Sequence, residues 1–167
     1  MDWLTGGVPL LWSGSRFLVP DSLADGFSRA SFFQGRNVAT SPTYRHPILG
    51  ENTFWRQTLW KRSQAQIHHV LPHAGDFELW THFWEHADLY TVALPLGGRN
   101  ARVKSDAAYW RAAADILQAH PGATPIPRWK QQLYSIPRLK SRFGSRASFV
   151  RLRARGDECV CDTRYIV

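Results

Sequence analysis

Cysteine is almost missing. Cys159 and Cys161 are all the chain has, and the single residue between them leaves no loop for a disulfide to close and no second pair for a zinc finger. A reducing setting follows as the expectation: the cytoplasm, or the inside of a virion or other assembly. Long apolar runs are missing too, since no stretch approaches the roughly 18 consecutive apolar residues of a membrane span. Met1-Asp2-Trp3 opens the chain without a basic or apolar leader, so neither a secretion signal nor a membrane partner is expected. Acidic residues are sparse in one half only: residues 85–167 carry fourteen Lys/Arg against seven Asp/Glu, whereas 1–84 carry seven against six. The net charge of +8 therefore belongs to the C-terminal half and favours a polyanionic partner.

What is abundant is aromatic. Hydrophobic residues make up 44% of the 167 and aromatics 13%, with eight Trp, which separates the chain from disordered compositions and gives one domain, 1–167, enough to build a core. Residues 1–50 are broken by Gly and Pro into short strands and turns. "PLLWSGSRFLVP" predicts a hairpin through Ser13-Gly14-Ser15, and "RASFFQGRNVAT" a second strand pair around Gly35. From 52 to 120 the chain reads as mainly helical with one strand. A helix capped by Asn52 or Thr53 runs toward Pro72, and a second, capped by Asp76, spans 77–89 with Phe77, Trp80, Phe83, Trp84 and Ala87 on one side. "LYTVALPL" is the strand, and "DAAYWRAAADILQAH" is a helix over 106–120 with Asp106 as cap and Pro121-Gly122 as stop. The last stretch, "ASFVRLRARGDECVCDTRYIV", alternates on both sides of Gly156-Asp157 and predicts a C-terminal β-hairpin. The fold class expected is α+β: an antiparallel sheet with about three helices and that hairpin.

Five of the seven histidines fall within "IHHVLPHAGDFELWTHFWEH", residues 67–86. His82 and His86 lie one helical turn apart and can offer two nitrogens to one metal ion, with Glu85 beside them as a base. This His-x-x-Glu-His order resembles the inverzincin peptidase signature, whose third ligand would fall on Glu158, the one glutamate after Glu85. A helical wheel gives the plainer alternative: both histidines lie opposite the aromatic side, on a polar or partner-facing surface. "IHHVLP" resembles the opening strand of HNH-type nucleases. That resemblance implies His69 as the catalytic general base, His68 as a metal ligand, and further ligands from a later helix, where His82 and His86 stand. The family's Asn is absent at that place, the first Asn after His69 being Asn100. No cofactor is expected unless this segment forms a site, in which case a divalent metal, zinc or magnesium, is the candidate.

Between Arg128 and Arg155 the chain holds nine basic residues and no Asp or Glu: Arg128, Lys130, Arg138, Lys140, Arg142, Arg146, Arg151, Arg153 and Arg155. Spacing by two puts Arg151, Arg153 and Arg155 on one face of an extended strand, about 6–7 Å apart. Such a row can follow a phosphate backbone by bidentate hydrogen bonds and counterion release. Trp129 and Tyr134, with Phe143 and Phe149, interleave with the charges and can stack on unpaired bases, which favours single-stranded nucleic acid or RNA over duplex readout. The expected function is nucleic-acid binding through this surface. Two alternatives stand beside it: a structural subunit of a virion, phage or ribonucleoprotein assembly whose basic hairpin docks on a neighbouring protein, and a small metal-dependent HNH-like nuclease. Of the three, only the last makes the chain an enzyme.

Overall fold

Trp3 anchors the core. In the structure, a computed structural model describing residues 1–13, 15–18, 26–39, 46–64, 74–100, 107–124, 145–152 and 159–166, this indole is 1% exposed. It sits on β1 (Trp3–Gly6) and meets three rings of α3 (Gly75–His86): Trp80 at 5.6 Å, Phe83 at 5.4 Å and Trp84 at 5.1 Å between centroids. Its Nε1–H donates to the Ala87 carbonyl at 3.3 Å, so the buried donor is satisfied just past the helix end. The aromatic stripe of residues 77–84 thus faces the core as the helical periodicity predicts, with Phe77 stacked on Phe32 at 4.8 Å.

Around this contact lie two sheets. In chain order the other elements are β2 (Leu10–Ser13), β3 (Arg16–Leu18), α1 (Arg29–Phe33), a 3-10 turn (Gly50–Asn52), β4 (Thr53–Trp55) and α2 (Gln57–Ser63). After α3 come β5 (Leu89–Val92), β6 (Gly98–Asn100), α4 (Ala107–Ala119), β7 (Ser145–Leu152) and β8 (Cys159–Ile166). The larger sheet has the order β4-β1-β5-β7-β8 and the smaller β3-β2-β6. The class is α+β, with four α-helices among the described residues. The sheets are mixed, not antiparallel as the sequence suggests: β1–β5, β5–β7 and β2–β6 run parallel. Side-chain alternation has period two in either direction, so the pattern that reveals a strand is silent about the orientation of its neighbour. Both predicted hairpins form. Ser13 pairs with Arg16 in one, and in the other β7 and β8 pair from Ser145↔Ile166 to Leu152↔Cys159.

Two elements differ from their expectation for local reasons. "RASFF" is a helix rather than a strand because Ser28 and Ser31 form a capping box: Ser31 N–H donates to Ser28 Oγ at 3.1 Å and Ser28 N–H to Ser31 Oγ at 3.2 Å. Gly35, at φ 80°, then turns the chain out. Asn52 and Thr53 cap no helix; Thr53–Trp55 is an edge strand on β1, and α2 begins only after Arg56. The helix that follows ends at Gln64, φ 49°, so its expected continuation toward Pro72 falls on residues outside those described, as does the Asp106 cap of α4. Asp76, expected as cap of α3, lies inside its first turn, after Ala74.

Asn52 instead closes the seam between the sheets. It is 2% exposed; its Nδ2 donates to Gly6 O at 2.7 Å, and its Oδ1 accepts from Leu96 N at 3.0 Å and Gly97 N at 2.9 Å. The parallel pairs β1–β5 and β2–β6 are bridged there by Gly7 N to Val92 O and Leu10 N to Gly97 O. A Cβ on Gly97 would fall 1.9 Å from Glu51 O, so the close backbone approach admits glycine only. On the large sheet, Trp3, Thr5, Leu89 and Thr91 are buried on one face, where Trp3 meets α3. The opposite face carries the register row Phe54–Leu4–Tyr90–Ser148, where Phe54 is exposed and the others are half-buried.

Candidate nucleic-acid interface

The basic segment enters the fold through β7. This strand is interior, held by parallel β5 on one side and antiparallel β8 on the other, so the Arg-rich hairpin is built into the main sheet. In the register Arg146 stands opposite Tyr165 and Arg151 opposite Val160, while Phe149 lies beside Thr91 and Val150 beside Val92. Arg128, Lys130, Arg138, Lys140, Arg142, Arg153, Arg155, Trp129 and Tyr134 lie outside the described residues.

Of the histidine segment, His68, His69 and His73 lie outside the described residues, as does Glu158. His82 is half-buried and His86 exposed on α3, and among the described residues no group of three or more His, Cys, Asp or Glu is placed to hold a metal ion. Glu85 is engaged elsewhere: its Oε1 lies 3.2 Å from His120 Nε2, just past α4. Gly122 N–H donates to His120 Nδ1 at 3.0 Å, which leaves the ring proton on Nε2 to point at the Glu85 carboxylate. The imidazole also stacks on Phe33 at 4.6 Å. Both ring nitrogens are occupied, so the arrangement ties the ends of α1, α3 and α4 together and leaves no free base. Nothing in the sequence pointed to His120 except its place before the Pro121-Gly122 stop.

Sequence reading also missed a cluster at the β4 edge. Trp55 is 38% exposed although its ring meets Trp80 at 5.7 Å and Phe83 at 5.6 Å, both at steep angles. Next to it, the Asp2 carbonyl accepts the Arg56 N–H at 2.8 Å and the Asp2 carboxylate accepts Arg62 Nη2 at 2.8 Å. Arg62 Nη2 donates in addition to His86 O at 3.2 Å. That hydrogen bond from Arg62 holds the Asp2 carboxyl below its ordinary range. Trp55 falls within the helix that the sequence predicts after Asn52 or Thr53, whereas its strand pairing with Trp3 places it at a sheet edge. Elsewhere, Asp76 has its carboxyl raised above the ordinary range by burial, opposed by hydrogen bonds from Phe77 N–H and Tyr109 and reinforced by Glu51.

No helix among the described residues is long and apolar enough to cross a membrane. Comparison with family models, with curated proteins and with solved structures finds no match to this chain.

Proposed function

We propose that this protein binds nucleic acid, neutralising phosphates with the basic residues between Arg128 and Arg155 and favouring single strands or RNA. One observation carries the reading: nine Lys/Arg and no Asp or Glu over that interval. A polyanion relieves the self-repulsion of such a run and releases counterions on binding, which gives affinity without requiring sequence readout. The test is the triple variant Arg151→Glu, Arg153→Glu, Arg155→Glu. Retention by single-stranded DNA or RNA should be lost while circular dichroism stays native, and wild-type binding should fall steeply with salt. Unchanged retention overturns the reading.

A second reading, a subunit of a larger assembly, draws on different residues. Phe17 on β3 and Phe54 on β4, the edge strands among the described residues, are 71% and 57% exposed. Unpaired strand edges with apolar side chains are templates for pairing with another chain. This reading requires sedimentation to show self-association that persists in high salt and is lost in Phe17→Lys or Phe54→Lys; a monomer at all concentrations counts against it.

A further inference from the structure

We propose that His120 is a pH-sensitive clasp: a proton taken up on Nδ1 releases the turn that leads toward the basic segment, while the imidazole stays paired with Glu85. The clasp is independent of what the basic residues bind. In the neutral ring the two nitrogens do opposite jobs. Nδ1 accepts the Gly122 N–H at 3.0 Å, which requires a lone pair there, and Nε2 directs its hydrogen to Glu85 Oε1 at 3.2 Å. Imidazole is the side chain whose charge ordinarily changes between about pH 5 and 8. An imidazolium carries a hydrogen on both nitrogens and has no acceptor, so the Gly122 hydrogen bond is lost and two donors face each other instead.

The same proton acts in opposite senses on the two sides of the ring. Toward α3 it adds a full charge to the contact with the Glu85 carboxylate, so that contact holds. Toward the turn it leaves no room: a Cβ on Gly122 would already lie 3.1 Å from Nδ1, so the backbone must move to relieve the added hydrogen. The side chain is 16% exposed, which lets solvent protons reach it. Other charges stand farther off. From α1, Arg29 lies 5.8 Å from the centroid of the Phe33 ring, on which His120 stacks at 4.6 Å. On α3, His82 and His86 flank Glu85 in sequence, and on α4 itself Arg111 and Asp115 are exposed. Beyond Gly122, Ala123 N–H donates to His120 O and Thr124 N–H to Phe33 O, both at 3.0 Å, and Arg128 follows four residues after Thr124. The clasp therefore sits at the root of the basic segment.

The experiment is nitrogen NMR on the isotope-labelled full chain between about pH 5 and 8, following the His120 ring nitrogens and the Gly122 amide together. Both should change in one shared transition. On its acid side the Gly122 amide should exchange about 2- to 10-fold faster, after correction for the intrinsic pH dependence of exchange, which is the factor one hydrogen bond is worth. His120→Asn offers an amide oxygen in place of Nδ1 and does not titrate, so Gly122 should keep its protection across the range. A ring that titrates with no change at Gly122 overturns the clasp, as does a ring that keeps one form throughout. A Gly122 transition that persists in His120→Asn belongs to another group and overturns it too. Should that variant fail to fold, the wild type decides alone: coincident transitions of ring and amide support the clasp, and separate ones overturn it.

Discussion

Asn52 shows how much can depend on one side chain. Its amide satisfies three backbone groups, Gly6 C=O and the N–H groups of Leu96 and Gly97, at a place where two parallel strand pairs break and resume. Leaving buried backbone groups unpaired costs about 1–3 kcal/mol each. Asn52→Ala is therefore expected to lower unfolding stability by about 3 kcal/mol or more in urea titration, with the loss independent of pH between about 5 and 8 because no titratable group is removed.

At the scale of the element, α3 does two things at once: its aromatic face makes the core and its first turn buries a carboxylate. The Asp76 carboxyl is raised above the ordinary 3.8 mainly by desolvation. The folded state then holds its proton to higher pH than the unfolded chain does. The stability this group contributes is full below the unfolded value and is lost as pH rises through the raised folded value. Asp76→Asn keeps the acceptor for Phe77 N–H and removes the titration. The wild type should thus lose thermal stability relative to Asp76→Asn as pH climbs above about 4, and a melting series in which the two curves run parallel would contradict this account.

On the scale of the whole molecule, stability gathers at the contact between β1 and α3. Truncating a buried Trp costs about 3–5 kcal/mol, against a total of about 5–15 kcal/mol for a domain. Trp3→Ala removes contacts with Trp80, Phe83 and Trp84 together and is expected to bring the protein close to unfolding at room temperature, measurable as loss of near-ultraviolet circular dichroism. Interior placement of β7 ties part of the basic segment into the same sheet. If nucleic acid engages the basic segment, binding should slow amide exchange in β5 and β8 as well as in β7, since the three share one ladder.

Local pattern by itself determined the α+β class, the aromatic face of residues 77–84, the helix before Pro121-Gly122 and both hairpins, because each rests on spacing and turn chemistry within a few residues. It also set the charge asymmetry from which the proposed function comes. Only the tertiary structure decided that β1, β5 and β7 run parallel, that Asn52 closes a seam instead of capping a helix, and that Glu85 reaches His120 thirty-five residues away. It likewise moved Trp55 from a supposed helix to a sheet edge beside Arg56 and Arg62. The physical reason is the same in each case: strand direction and long-range polar partners are chosen when distant segments meet, and the side-chain period within one segment does not encode which neighbour it will find.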